Sequence, residues 1–165
     1  MDPRERNDHE SSPSVARANS RSPRVEFGRR GDRDLIGEAD DDLDGFFDPS
    51  EFAIRTSLED QHYWHLYRRS VVLDAVGQAC PDRSQPILEL DCGVGTVATY
   101  LNENGFYVDY ADVHTQALEL ARRRAAARLG ADQLARLRFW RVDITRRLPP
   151  GNPHGVLLLD VLEHL

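Results

Sequence analysis

Lysine is missing from this chain: all 21 basic residues are arginine. That uniformity reads as a coding bias rather than a functional device. Cysteine is nearly missing too. Cys80 and Cys92 are the only two, and neither stands in a CxxC pair or a Cys/His ligand spacing. This argues against a disulfide framework and a structural zinc site. No apolar run approaches the roughly 20 residues needed to cross a bilayer. The N-terminus is charged and lacks the apolar stretch of a signal peptide. A cytoplasmic protein with no membrane partner is the expectation. There is no excess of positive charge either. The net charge is -7 and the isoelectric point about 5.3, which argues against a nucleic-acid binder driven by phosphate neutralisation. Hydrophobic residues make up only 40% of the 165, so part of the chain is expected to lie outside any packed core.

That part is residues 1–50. They are rich in Ser, Pro, Gly, Arg and Asp, with eight arginines against 13 acids. Such a segment cannot bury enough apolar area to offset its ordering entropy, and a disordered tail is expected. Residues 51–85 turn helical. Leu58, His62, His65, Leu66, Arg69, Val72, Leu73 and Val76 recur at three- and four-residue steps from Ser57 to Ala79. Gly77 and Pro81 then signal a stop.

From residue 86 to 165 the rhythm changes. Pro86 to Leu90 reads as a strand running into Asp91-Cys92-Gly93-Val94-Gly95. Thr96 to Glu103 reads as a helix ended by Asn104-Gly105. Phe106 to Asp112 is a second strand and His114 to Leu129 a helix, with Ala117, Leu118, Leu120, Ala121 and Ala125 facing inward. Leu137 to Val142 and Val156 to Leu159 are the third and fourth strands. The fourth is uniformly apolar and is expected to be buried on both faces. The fold class is therefore α/β, a doubly wound parallel sheet with crossover helices.

Ligands of open α/β sheets bind beyond the carboxyl ends of the strands. Four such ends are legible. The first is Glu89-Leu90-Asp91-Cys92-Gly93-Val94-Gly95-Thr96, where glycines allow close approach and a sharp turn. The second is Asp112-Val113, whose acid lies 17 residues past Gly95 and can accept from both hydroxyls of a ribose. The third is Asp143-Ile144. The fourth is Asp160-Val161-Leu162-Glu163-His164. Each acid also has a plain structural use, since Asp112 and Asp143 are well suited to cap the turns that follow them.

In order and nearly in spacing, this set resembles the class I S-adenosylmethionine (SAM) dependent methyltransferases. Ile87 to Thr96 is similar to the family's first motif. Tyr110 to Arg122 resembles its ribose-binding segment, and Arg141 to Ile144 the segment whose acid holds the adenine amino group. Val156 to Leu165 is similar to the fourth motif. Upstream, His62, Trp64, Arg68 and Arg69 fit the H-x-W-x-x-x-R-R helix that precedes the fold in many bacterial members. The resemblance implies a Rossmann-like fold with SAM as cofactor. It implies that Glu89, Asp91, Gly93 and Gly95 surround the methionine and ribose, and that Asp112 and Val113 lie at the ribose. It further places Asp143 and Ile144 at the adenine and Asp160 near the methionine. The reaction implied is SN2 methyl transfer to a small-molecule or sugar-linked acceptor, with His164 or Glu163 as general base.

Asp91 departs from the pattern, standing where the family has a glycine. His114 replaces the usual Ser or Thr. The family has seven strands and this sequence stops after the fourth, so an incomplete sheet of about four strands is expected, with an exposed apolar edge. Two other readings stand beside an enzyme of this class. One is an inactive remnant or interaction module. The other is a nicotinamide-dinucleotide enzyme, since Gly93 to Ala98 also fits G-x-G-x-x-A. Oligomeric state is not legible in the sequence.

Overall fold

The computed structural model describes residues 49–164. The tail expected over residues 1–50 lies almost wholly outside the described residues.

Two helices open the described residues, α1 (Pro49–Gln61) and α2 (Tyr63–Ala79). The sequence predicts one helix from Ser57. Instead His62 breaks the run: it is extended (φ -76, ψ 127), and its side chain caps α2 by accepting from the Trp64 N–H. Gly77 does not end α2, which continues to Ala79 before Cys80 caps it. Strand β1 (Pro86–Leu90), helix α3 (Thr96–Glu103), strand β2 (Tyr107–Asp112) and helix α4 (Thr115–Arg128) follow. A one-turn helix, α5 (Ala131–Leu134), then follows in a stretch the sequence pattern does not mark as helical. Strands β3 (Phe139–Arg141) and β4 (Gly155–Leu158) complete the sheet, and a 3-10 turn spans Leu162–His164. No helix of the described residues is long and apolar enough to cross a membrane.

All three strand pairings are parallel, in the order β3-β2-β1-β4. The fold is the expected α/β parallel sheet with crossover helices, and four strands are present. Its main core lies on one face, where α2, α3 and α4 cover Ile87, Val108, Tyr110 and Phe139. On α4 the buried residues are Ala117, Leu118, Ala121 and Ala125. This narrow small-residue stripe lets the helix sit close to the sheet. A polar network threads this core. The Asn102 side chain donates to Ala98 O and Val108 O and accepts from Val108 N–H, so it ties the end of α3 to the start of β2.

The other face carries Leu88, Leu90, Ala111, Trp140 and Val142, with Ile144 packed against them. Strand β4 corrects the expectation of burial on both faces. Leu157 packs into the main core, but Val156 and Leu158 point to the second face and are 48% and 39% exposed. The reason is position: β4 pairs only with β1 and forms the sheet edge.

Candidate functional site

The carboxyl ends of β1, β2 and β4 converge on one rim. The glycine loop leaves β1 there. Gly93 and Gly95 both have positive φ (54 and 74), and so does Asp91 (55). The two glycines serve different ends. A Cβ on Gly95 would lie 2.7 Å from Ala121 Cβ and 3.0 Å from the Tyr110 ring, so its bareness lets α4 and β2 close on the loop. A Cβ on Gly93 would meet nothing within 4 Å, so open space lies in front of that backbone.

Glu89 is buried in β1. Its carboxyl accepts from the Ala98 N–H in the first turn of α3, where an acid suits the helix dipole. Its Oε2 is buried with no hydrogen-bond partner. Burial raises its pKa to about 8, helped by the nearby charges of Glu59 and Asp112 and opposed by Arg68. A buried acceptor left unmatched is costly unless a donor arrives.

Asp112 ends β2 and is only 2% exposed. Its Oδ2 accepts from Gly93 N–H at 2.8 Å and its Oδ1 from His114 N–H at 2.8 Å. It therefore pins the glycine loop and turns the chain into α4 at once. Burial first, then the charge of Asp91, pushes its pKa to about 7. The charge of Asp91, the residue that departs from the family pattern, thus falls on Asp112.

The remaining predicted residues are spread around this centre. Val113 follows Asp112, and its carbonyl accepts from Arg141 Nε at 3.3 Å. Asp143 caps its own turn, accepting from Thr145 N–H and Oγ1, and pairs with Arg146 at 3.2 Å. The Thr145 bonds lower its pKa. Ile144 is half-buried beside Trp140 and Val142. Asp160, in the left-handed region (φ 60), pairs with Arg68 Nη2 at 2.7 Å. Glu163 is exposed on the 3-10 turn. The side chain of His164 lies outside the described residues. No group of three or more His, Cys, Asp or Glu suited to a metal occurs among the described residues.

The α1–α2 segment contributes more than its periodicity suggests. Thr96, the first residue of α3, donates to Glu59. Arg124 of α4 holds Asp60, donates from Nε to Val94 O at 3.0 Å, and reaches Thr56 O. These bonds strap α1 over the glycine loop. No sequence signal links positions 60 and 124, which is why Glu59, Asp60 and Arg124 escape a linear reading.

Among solved structures, the chain resembles magnesium protoporphyrin IX methyltransferase (ChlM) from Synechocystis PCC 6803. The form with bound SAH has a TM-score of 0.58 and 19% identity, covering 73% of this chain and 57% of that one. The form with bound SAM has a TM-score of 0.50 and 18% identity, covering 72% and 65%. The chain has the fold of the SAM-dependent methyltransferases. It spans less than two thirds of the ChlM chain in either form. SAM-bound CalS10, an amino pentose methyltransferase from Micromonospora echinaspora, is a more distant neighbour (TM-score 0.49, 23% identity, 73% of this chain and 45% of that one). No family profile and no curated protein sequence matches.

Proposed function

We propose that the rim formed by β1, β2 and β4 is a SAM site and that the protein takes part in methyl transfer to a small-molecule acceptor. The observation that carries this is the buried, unpartnered Glu89 Oε2 near the end of β1, together with the open Gly93 backbone in the loop that follows. That pair asks for a donor-bearing ligand that packs against backbone, and SAM, with an ammonium on its amino-acid end, is such a ligand. The methyltransferase fold supports the reading, and so does ChlM, a magnesium protoporphyrin IX methyltransferase.

SAM supplies a sulfonium-activated methyl group, so the protein's task is mainly positioning. Glu89 accepts from the ligand's ammonium, and Gly93 lets its chain lie close. Asp91 stands at the loop's outer side. Gly95 fixes the loop against α4. Asp112 offers the remaining lone pairs of its two oxygens to the ribose hydroxyls, while Val113 borders the same sugar. Asp143 and Ile144 take the adenine, one by hydrogen bond and one by packing. Asp160 stands at the methionine end. Glu163 and His164, on the turn after β4, receive the acceptor's proton when the nucleophile carries one.

Calorimetric titration with S-adenosylhomocysteine tests the site. Saturable binding, lost in Asp112→Ala, is expected. A folded protein that binds neither SAM nor S-adenosylhomocysteine refutes the proposal. A melting temperature raised by a nicotinamide dinucleotide instead of SAM selects the dinucleotide reading. A second reading, a non-catalytic module of the same fold, is favoured by Asp91. Its carboxyl occupies a position of positive φ and leans on Asp112.

A further inference from the structure

The rim takes up the carboxyl ends of the strands. A separate cavity of about 420 Å³ opens at the other end of the sheet. Arg83 lies just before β1, Tyr107 begins β2 and Arg136 lies just before β3, and all three line it. Helix α5 closes one side through Gln133, whose Nε2 donates to Asn102 O at 2.6 Å. A cavity of this size suits a small molecule.

Its two arginines are held in place but not neutralised. The Arg83 guanidinium lies 4.7 Å over the ring of Phe106, which is buried, and its Nη1 donates to Asn104 O at 2.6 Å. The Arg136 guanidinium lies 5.1 Å over the ring of Tyr107, and the Tyr107 hydroxyl donates to Arg136 O at 2.9 Å. Arg68, Arg124, Arg128 and Arg146 each face a carboxylate. Among the described residues no carboxylate pairs with Arg83 or Arg136. Both are exposed, so a ligand can reach them. Stacking on a ring steadies a guanidinium and leaves its N–H edge for a partner. In a chain of net charge -7, two unneutralised cations in one concave site reverse the sign locally, and clefts concentrate such a field.

We propose that this cavity binds a small soluble phosphomonoester, with Arg83 and Arg136 on its phosphoryl oxygens. Charge selects phosphate over carboxylate. A phosphoryl group carries about two negative charges and three acceptor oxygens, enough for two planar N–H forks, whereas a carboxylate satisfies one. Asp132 also lines the cavity. It repels a phosphoryl group, so its place is at the alcohol end of the ester, where it accepts from a hydroxyl. The site shares no residue with the rim and does not depend on the SAM reading.

The test is calorimetry on the full chain with glycerol 3-phosphate, inorganic phosphate and glycerate. The wild type is expected to bind both phosphates saturably, and to prefer glycerol 3-phosphate to glycerate by about tenfold or more. Arg136→Gln is expected to weaken both phosphates by about tenfold or more, while Arg136→Lys recovers part of the loss. Asp132→Ala is expected to favour inorganic phosphate over the ester relative to the wild type, and an unchanged ratio overturns the hydroxyl contact. The backbone amide resonances of Gly105 and Gln133 are expected to shift during the titration, which separates this cavity from the rim. A folded wild type that binds neither phosphate overturns the proposal, and so do equal affinities for glycerol 3-phosphate and glycerate. Undiminished binding by a folded Arg136→Gln, or amide shifts confined to the glycine loop, overturn it as well. If Arg136→Gln does not fold, the ligand comparison and the amide shifts on the wild type decide. Binding to phosphatidic acid vesicles without binding to glycerol 3-phosphate overturns the small-molecule assignment in favour of a lipid headgroup.

Discussion

Replacing Asp91 by glycine relieves two separate costs, and pH tells them apart. The first is conformational. Asp91 sits at φ 55, which costs a side-chain-bearing residue about 1 kcal/mol. Glycine removes that cost but loses about 0.5–1 kcal/mol more chain entropy on folding, so the two nearly cancel. The second is electrostatic. Burial and the neighbouring Asp91 charge lift Asp112 from 3.8 to about 7. Three units at about 1.4 kcal/mol each set an upper bound on the order of 4 kcal/mol for ionising it in the fold. Burial is the larger cause, which leaves Asp91 a share of about 1–2 kcal/mol.

The direction follows from linkage. An acid whose folded pKa is raised keeps its proton in the fold after the unfolded chain has lost it. Stability therefore falls as pH climbs from about 4 to about 7. Removing Asp91 matters only once Asp112 ionises. Asp91→Gly is expected to match the wild type within about 0.5 kcal/mol at pH 5 and to exceed it by about 1–2 kcal/mol at pH 8 in urea unfolding. The melting temperature at pH 8 should rise by about 4–8 °C. A gain that is equal at both pH values, or a loss at pH 8, would show that the two carboxyls do not oppose each other in the fold.

Three further outcomes are expected. Gly95→Ala forces a Cβ to 2.7 Å from Ala121 at φ 74 and should cost about 2–4 kcal/mol in chemical denaturation; a cost under 1 kcal/mol would contradict the packing described. Arg124→Met breaks the strap on α1 and should cost about 1–3 kcal/mol, with protease cleavage appearing first near His62; unchanged cleavage would mean that α1 is held by other contacts. Asp109, raised to about 7 chiefly by burial, accepts from Arg138 N–H on the second sheet face. By the same sign argument, the stability of Asp109→Asn relative to the wild type should climb as pH rises from about 4 to about 7, standing about 1–3 kcal/mol higher at pH 8 than at pH 5, and a pH-independent effect would refute the titration.

Local signals settled a good deal of this protein. The bounds of β1 and α3 are legible because Pro86 opens an apolar run and Asn104-Gly105 closes a helix. The inner stripe of α4 is legible because burial on one helical face repeats every three or four residues. The parallel, four-stranded α/β class follows from alternation alone. The order of acids and glycines along the strand ends points to one rim, since every parallel strand delivers its carboxyl end to the same side.

What tertiary structure decided is how those residues spend their bonds. Sequence cannot tell that Gly95 is bare for the sake of Ala121 while Gly93 faces open space. It cannot tell that both oxygens of Asp112 already hold backbone N–H groups. The break at His62 is a capping choice that periodicity does not register. The exposure of Val156 and Leu158 depends on β4 lying at the sheet edge, a fact of strand order. Arg68 with Asp160 and Arg124 with Asp60 join positions 92 and 64 residues apart. Such pairs arise only when chain folding brings distant segments together, and the physical cause of each is a charge that burial or crowding leaves in need of a partner.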